Sequence, residues 1–214
     1  MSALEEKALV ARAGAALVRD GMTVGLGTGT TVAQLLLALA RQGPRARYVA
    51  TSPQTAREAR ALGLRVEEFD EVDSLDLALD GADQVADDGW LLKGAGGAHA
   101  REKIVAAAAE RFVVLVDASK MVSALHPPVA LELSAFGLAA TLGHLGAVSV
   151  RDAPASPDGG VLADYLGEVG EPAQLARRLS AVPGVLAHGL FAPDLVSDVL
   201  VANGDQLRRV RGAT

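Results

Sequence analysis

The stretch that decides the fold is MTVGLGTGTTVAQLLLALA, residues 22–40. A short apolar run leads into a loop rich in glycine and threonine at residues 25–31, the threonine loop, and a run with helical apolar spacing follows. Strand, glycine loop and helix in this order are typical of one unit of a parallel α/β sheet. Helix N-termini and open glycine backbone attract anions. We therefore expect an anion-binding loop, with Thr30 or Thr31 capping the helix.

The threonine loop differs from the nucleotide-binding patterns. Thr30 stands where G-x-G-x-x-G has its third glycine, and no Gly-Lys-Thr follows. The next predicted strand, residues 48–50, ends in Thr-Ser and lacks the acid that holds a ribose. A plain tight turn is the alternative. Because Thr28, Thr30 and Thr31 add hydroxyl donors beside the glycines, we favour a phosphate-binding loop.

The order of predicted elements changes once along the chain. Up to residue 127, strands alternate with helices over short loops, which indicates a parallel sheet. From 128 to 191 the order is strand, helix, strand, strand, helix, strand, the ferredoxin-like split motif. The segment SDVLVANG then returns to the main sheet. The predicted fold class is α/β: a Rossmann-like, mostly parallel sheet domain of residues 1–127 plus 192–214, and a smaller ferredoxin-like α+β domain of residues 128–191.

Composition narrows the class of protein. Half of the 214 residues are hydrophobic, which is enough for a large core. A net charge of −6 argues against nucleic-acid binding by bulk charge, and the lack of cysteine excludes disulfides and thiolate metal sites. Glu5 and Glu6 stand where a secretory signal carries basic residues, and no apolar run reaches bilayer length. We expect a cytoplasmic protein that binds neither nucleic acid nor membrane.

Charged residues follow three further predicted strands. Asp80 and Asp83 lie in DGAD after DLAL, Lys93 ends WLLKG with Glu102 in the following helix, and Lys120 ends FVVLVDASK. Since the carboxyl ends of parallel strands share one edge, we expect these residues to meet at the threonine loop. Each has a plain alternative: a capped turn for DGAD, a helix-dipole residue for Glu102, a surface charge for Lys120.

Together these residues suit proton transfer on a phosphorylated polyol. Paired carboxylates bind metal, hold sugar hydroxyls or move protons, and a lysine at a strand end stabilises an oxyanion. Glu102 serves as a proton shuttle if burial raises its pKa. The histidines are scattered, without the spacing of a helix metal site, and no redox signature is present, so we expect no metal and no cofactor. His99 is set apart because it lies between Lys93 and Glu102.

Six motifs occur in the order found in type A ribose-5-phosphate isomerases: GLGTGTT, TSPQT, EVDSLDLALDGAD, KGAGGAHAREKI, VDASK and VPGVLAHGLF. The chain resembles this family from about residue 21 to residue 204. The resemblance implies a Rossmann-like main domain, a ferredoxin-like lid domain, and a homodimer or homotetramer. It also implies a metal-independent aldose–ketose isomerisation of ribose 5-phosphate and ribulose 5-phosphate, through a cis-enediolate, in the pentose phosphate pathway.

The resemblance also implies roles for single residues. Glu102 is similar to the catalytic base, Lys93 to the residue that stabilises the enediolate oxygen, and Asp80 and Asp83 to residues that hold hydroxyls and assist ring opening. The implied substrate-binding residues are Thr28, Gly29, Thr30, Thr31, Gly81, Ala82, Gly94, Ala95, Gly96 and Lys120. His99 stands where the family often has an aliphatic residue, and ASPDGG and DYLGEVGEP are unusual. These departures concern the lid and the oligomer contacts.

Other functions on related scaffolds stay open. A non-catalytic sugar-phosphate sensor would use similar loops, but only about one helix precedes Met22, where such regulators carry a helix-turn-helix. An amino-sugar-phosphate isomerase or deaminase would release ammonia. A coenzyme A transferase would need a glutamate nucleophile.

Overall fold

The computed structural model describes residues 2–72 and 74–211; Met1, Asp73 and 212–214, which the predicted main domain includes, lie outside the described residues. The helices are α1 (Ala3–Ala15), α2 (Thr30–Gln42), α3 (Pro53–Ala61), α4 (His99–Ala108), α5 (Leu138–Leu145) and α6 (Pro172–Ser180). The strands are β1 (Thr23–Leu26), β2 (Arg47–Ala50), β3 (Val66–Glu67), β4 (Leu77–Asp80), β5 (Gln84–Ala86), β6 (Leu91–Leu92), β7 (Phe112–Asp117), β8 (Met121–Val122), β9 (Val129–Leu133), β10 (Val148–Val150), β11 (Val161–Tyr165), β12 (Val185–His188), β13 (Leu190–Phe191), β14 (Asp198–Asn203) and β15 (Gln206–Arg211). None of these helices is long and apolar enough to cross a bilayer.

The central sheet has seven strands in the order β15-β14-β7-β4-β1-β2-β3. Only the edge strand β15 is antiparallel to its neighbour. Strand β7 is buried at every residue, because Val113 and Leu115 face the core under α1 and α2 while Val114 and Val116 face the opposite core. A sheet covered on both faces explains the continuous apolar run FVVLV. The predicted α/β class with a mostly parallel sheet is confirmed.

A second sheet, with the order β10-β11-β9-β12, is antiparallel throughout. Along the chain its elements run β9-α5-β10-β11-α6-β12, the expected split motif. Leu131 and Leu133 of β9 pack in one core with Leu175 and Leu179 of α6. We call this unit the lid. The ferredoxin-like character is thereby confirmed, and the domain limits at residues 127/128 and 191/192 stay a prediction.

A third sheet, β13-β6-β5-β8, joins the lid to the rest. The expectation that WLLKG ends at the edge of the main sheet is wrong, because β6 pairs antiparallel with β5 and β13. A two-residue strand has no periodicity from which its partners can be read, so the sequence does not reveal this sheet. Since β13 directly follows β12, the third sheet ties the lid to the strand that precedes Lys93.

Strand order reverses beside β1. The chain runs outward from β1 to β2 and β3 and then returns to β4 on the other side of β1. Loops that leave neighbouring strands in opposite directions open a crevice, which is where open α/β sheets bind ligands. The Gly27 amide donates to the Leu79 carbonyl at 3.0 Å, and the Thr28 amide donates to Asp80 Oδ1 at 3.3 Å. The threonine loop and DGAD therefore lie side by side, as predicted.

Candidate active site

A cleft of about 120 Å³ opens at this reversal. Its lining residues are Lys7, Thr28, Gly29, Thr30, Thr31, Gly81, Ala82, Asp83, Lys93, Gly94, Ala95, Gly96, Glu102 and Lys120. Every residue proposed from the sequence is in this set except Asp80, which is buried against Lys93. A larger hollow of about 380 Å³ lies between α1 and α2, but its charged lining is the exposed pair Arg12 and Arg41. Converging chemistry, and not size, identifies the site.

Lys93 carries the central charge of the cleft. Its Nζ lies 2.8 Å from Asp80 Oδ2 and 3.1 Å from Glu102 Oε2, and it donates to the Gly81 carbonyl at 2.6 Å. Burial disfavours the charged amine, but the carboxylates of Asp80 and Glu102 outweigh burial and raise the pKa of Lys93. Lys93 is therefore a fixed ammonium, with its donors aimed at oxygen atoms.

Glu102 is held in the first turn of α4, which begins at His99. The pKa of Glu102 is raised to about 7, mainly by burial and also by the nearby Asp80 and Asp83 carboxylates, while Lys93 opposes the rise. Although Lys93 Nζ is near, Glu102 Oε2 makes no hydrogen bond within the described ranges. A carboxyl that titrates near neutrality accepts and returns protons efficiently.

Asp80 differs from Glu102 in its hydrogen bonds. Burial raises the pKa of Asp80 above its ordinary value, although Lys93 and the amides of Gly81 and Thr28 oppose this rise. The Gly81 amide donates to Asp80 Oδ1 at 2.7 Å, and Thr28 donates to the same oxygen. Hydrogen bonds to a carboxylate favour its charged form. Asp80 is thus held in place by two backbone amides beside Lys93, whereas Glu102 Oε2 makes no hydrogen bond with the described residues and is free to accept one.

Gly27 makes room for Asp80. A Cβ on residue 27 would lie 1.8 Å from Asp80 Cγ. We expect Gly27→Ala to displace the Asp80 carboxylate and to lower the free energy of unfolding by about 1–3 kcal/mol, as overpacking of a core does. Urea denaturation measures the change. Gly143→Ala is the control: apart from its chain neighbours and its own helix backbone, no atom of the described residues lies within 4 Å of its added Cβ in α5, so a gain of up to about 1 kcal/mol is expected. Equal stability of Gly27→Ala and wild type would contradict this role.

Asp83 is fixed by backbone contacts. Its amide donates to the Leu92 carbonyl at 2.8 Å, and its Oδ2 accepts from the Ala95 amide at 3.0 Å. Ala95 belongs to the glycine loop, residues 94–97, in which Gly94 and Gly97 adopt φ of +112° and +73°. This left-handed backbone favours glycine. The geometry places Asp83 and the glycine loop on one wall of the cleft.

The N-terminus of α2 forms the other wall. The prediction that Thr30 or Thr31 caps this helix is wrong: Gly29 occupies the N-cap with φ +115°, and no side-chain cap is formed. Thr28 Oγ1 instead lies 2.9 Å from Thr51 Oγ1. With no side-chain cap, the first amides of α2 are available to an anion in the cleft.

Lys7 is a lining residue that the sequence did not reveal. Its Nζ donates to Thr30 Oγ1 at 2.8 Å across 23 residues. One lysine in an amphipathic helix resembles any solvated charge, and only the packing of α1 against α2 brings Lys7 to the cleft. Lys7 and Lys120 thus line the same cleft as the α2 N-terminus.

His99 lies behind the cleft and does not line it. Its side chain is fully buried, and neither ring nitrogen makes a hydrogen bond with the described residues. Burial lowers the pKa of His99 to about 4, so the ring is neutral. Within residues 2–72 and 74–211, no three acidic or histidine side chains form a group that could hold a metal ion.

Comparison with known proteins gives matches to the same family in both sequence and structure. Residues 47–206 match the family model of ribose 5-phosphate isomerase A (phosphoriboisomerase A). Ribose-5-phosphate isomerase A of Rhodopseudomonas palustris (strain HaA2) is 41% identical over 216 residues, covering 92% of this chain and 93% of the relative. The structure of ribose 5-phosphate isomerase A from Neisseria gonorrhoeae superposes with a TM-score of 0.94 at 28% identity, over 100% of this chain and 99% of that one. A D-ribose-5-phosphate isomerase in complex with phospho-erythronic acid superposes with a TM-score of 0.92 at 30% identity, over 99% and 100%.

Proposed function

The chain belongs to the ribose 5-phosphate isomerase A family, and we propose on this premise that it interconverts D-ribose 5-phosphate and D-ribulose 5-phosphate. The observation that carries the proposal is the buried ammonium of Lys93 between the carboxylates of Asp80 and Glu102 at the cleft. The relative solved with phospho-erythronic acid holds a phosphorylated sugar acid. A ligand of that type suits a cleft lined by lysines, hydroxyls and a helix N-terminus.

Glu102 moves the proton in the proposed reaction. Its carboxylate takes the hydrogen from C2 of the open-chain aldose, and the C–H electrons form the C1=C2 bond. The C1 carbonyl oxygen becomes the enediolate oxygen, and Lys93 donates to it. Glu102 then returns the proton to C1 while the O2 proton passes to O1, which yields the ketose. Because the charge on oxygen appears only after proton removal, a fixed ammonium stabilises the transition state more than the substrate.

The remaining lining residues bind the substrate in this proposal. Asp83, fixed by Ala95, holds sugar hydroxyls, and Asp80 assists ring opening beside Lys93. The phosphate lies at the α2 N-terminus, where helix amides and the ammonium groups of Lys7 and Lys120 favour negative charge. The phosphate end of an extended five-carbon sugar phosphate thereby meets positively charged groups, and its hydroxyl end meets carboxylates that accept hydrogen bonds.

We expect a pH profile that reports Glu102. The base must be ionised to accept a proton, and burial raises the pKa of Glu102 to about 7. Below pH 7, kcat/KM should fall about tenfold per pH unit, and above pH 8 this acid limb should be level. Initial rates from pH 5.5 to 9 with ribose 5-phosphate give the profile. A level profile down to pH 5.5 would contradict the assignment of the base.

One assay decides between the candidate functions. The protein is incubated with ribose 5-phosphate and with glucosamine 6-phosphate, and the ketose product and ammonia are measured. Ketopentose formation supports the proposal. Tight binding without conversion, measured by calorimetry, would favour a sensor, and ammonia release would favour a deaminase.

Assembly, domain limits and location are part of the same proposal. A homodimer or homotetramer is supported by apolar side chains on the lid surface, since Phe136 is 94% exposed and Leu186 is 59% exposed. Sedimentation velocity would give the subunit number.

The split into residues 1–127 plus 192–214 and residues 128–191 is supported by the separate lid core. A cytoplasmic location is supported by the sugar-phosphate chemistry named for the relatives.

A further inference from the structure

The lid reaches the active site through one arginine. Arg151 follows β10, and its side chain is 18% exposed. Nε and Nη2 donate to the two carboxylate oxygens of Asp164 on β11, at 2.9 and 2.6 Å. Nη1 donates to the Gly94 carbonyl at 2.9 Å and to the Ala95 carbonyl at 3.3 Å. Nε and Nη2 thus bind the lid, and Nη1 binds the glycine loop.

The glycine loop depends on such a contact. Ala95 and Gly96 at its tip are exposed, and its internal hydrogen bond runs from the Gly97 amide to the Gly94 carbonyl at 3.0 Å. The Ala95 amide is the donor that holds Asp83 Oδ2. Because Arg151 binds the carbonyls on both sides of the Ala95 α-carbon, it sets the direction in which the Ala95 amide points.

We infer that Arg151, oriented by Asp164, is a positioning residue of the isomerase site, and this inference rests on the proposed function. From the lid, Arg151 keeps the glycine loop in the conformation that holds Asp83 toward the sugar hydroxyls. A bidentate guanidinium–carboxylate pair is planar and rigid, which suits this task better than a flexible ammonium. Lys93 and Glu102 are held by other contacts, so Arg151 acts on substrate binding more than on proton transfer.

The test compares Arg151→Met with Arg101→Met. Arg101 makes a similar bidentate pair, with Asp158 of the lid, and donates to the Pro157 carbonyl, but it does not contact the glycine loop. Loss of the two hydrogen bonds from Arg151 Nη1 to the loop should raise KM for ribose 5-phosphate about tenfold in Arg151→Met. We expect kcat to change less than about threefold, whereas partial unfolding would lower kcat and leave KM unchanged. Arg101→Met should behave as wild type.

Two further measurements distinguish positioning of the glycine loop from a general contribution of Arg151 to stability. Amide hydrogen exchange of residues 94–97 should quicken in Arg151→Met and not in Arg101→Met; this readout does not require activity, so it stands even if the chain acts on another substrate. In an Asp83→Ala background, Arg151→Met should raise KM less than about twofold more, because it acts through Asp83.

Arg151→Lys, which retains a cation, should give an intermediate KM and serves if the methionine variant does not fold. Raised KM with faster loop exchange supports the inference. Unchanged KM and exchange in a folded variant, or full additivity with Asp83→Ala, would overturn it. Failure of the wild type to convert ribose 5-phosphate would instead reject the proposed function.

Discussion

Replacing Glu102 with glutamine is expected to lower kcat for ribose 5-phosphate isomerisation by about 10³- to 10⁴-fold, the upper range for loss of a general base. The amide has nearly the shape of the carboxyl but cannot take the C2 proton. Substrate binding should survive, because Asp83, the threonine loop and the lysines of the cleft are unchanged. Steady-state rates and calorimetric binding of ribose 5-phosphate measure the two effects separately.

A matched control for Glu102→Gln is Glu110→Gln. Glu110 is exposed just beyond the same helix and should keep full activity when replaced. Unfolding should not explain the loss, because the buried Glu102 carboxyl is held with a pKa near 7 in place of 4.5. The native state binds that proton more tightly than the unfolded chain, so ionisation costs stability as pH rises from 4.5 to 7. Near wild-type turnover in Glu102→Gln would reject Glu102 as the base.

Replacing Lys93 with methionine is expected to lower kcat by about 10²- to 10³-fold, the usual cost of removing one oxyanion donor. The acid limb of the pH profile should also move to higher pH, since Lys93 lowers the pKa of Glu102. The variant leaves the Asp80 carboxylate buried without its cation. Breaking a buried ion pair on one side costs about 3–5 kcal/mol, so urea denaturation should show a large loss of stability.

The double variant Asp80→Asn/Lys93→Met separates catalysis from stability. Removing both charges should restore most of the free energy of unfolding that Lys93→Met loses, since no charge of the pair is left buried alone. Activity should remain low, because the donor to the enediolate oxygen is still missing. Recovery of turnover together with stability would show that Lys93 acts as a structural ion-pair partner and not on the oxyanion.

Much of the fold follows from patterns that are local in sequence. The strand, loop and helix around the threonine loop, the apolar run of β7 and the split motif of the lid each occupy one continuous segment whose periodicity or turn residues predict it. The third sheet could not be predicted in this way. Its strands β6, β8 and β13 have two residues each, and tertiary packing rather than a local pattern sets their partners.

The site likewise contains residues that could be predicted from the sequence and residues that could not. The threonine loop, DGAD, Lys93, Glu102 and Lys120 could be selected from the sequence because each couples a strand end with a chemically active side chain. Lys7 and Arg151 could not, because a lysine on a helix and an arginine after a lid strand look like solvated charges until the packing places them. Both act across distances of 23 and about 57 residues.

The sequence by itself therefore determined the fold class and most of the residue types that line the cleft. Only the tertiary structure decided the pKa values and the hydrogen-bond partners of those residues. The pKa of Glu102 is raised to about 7 because it is buried with Asp80 around a single ammonium, and Asp80 is held in place because backbone amides donate to it. Burial and hydrogen-bond partners set a pKa, and the neighbours of a residue in the sequence determine neither of them.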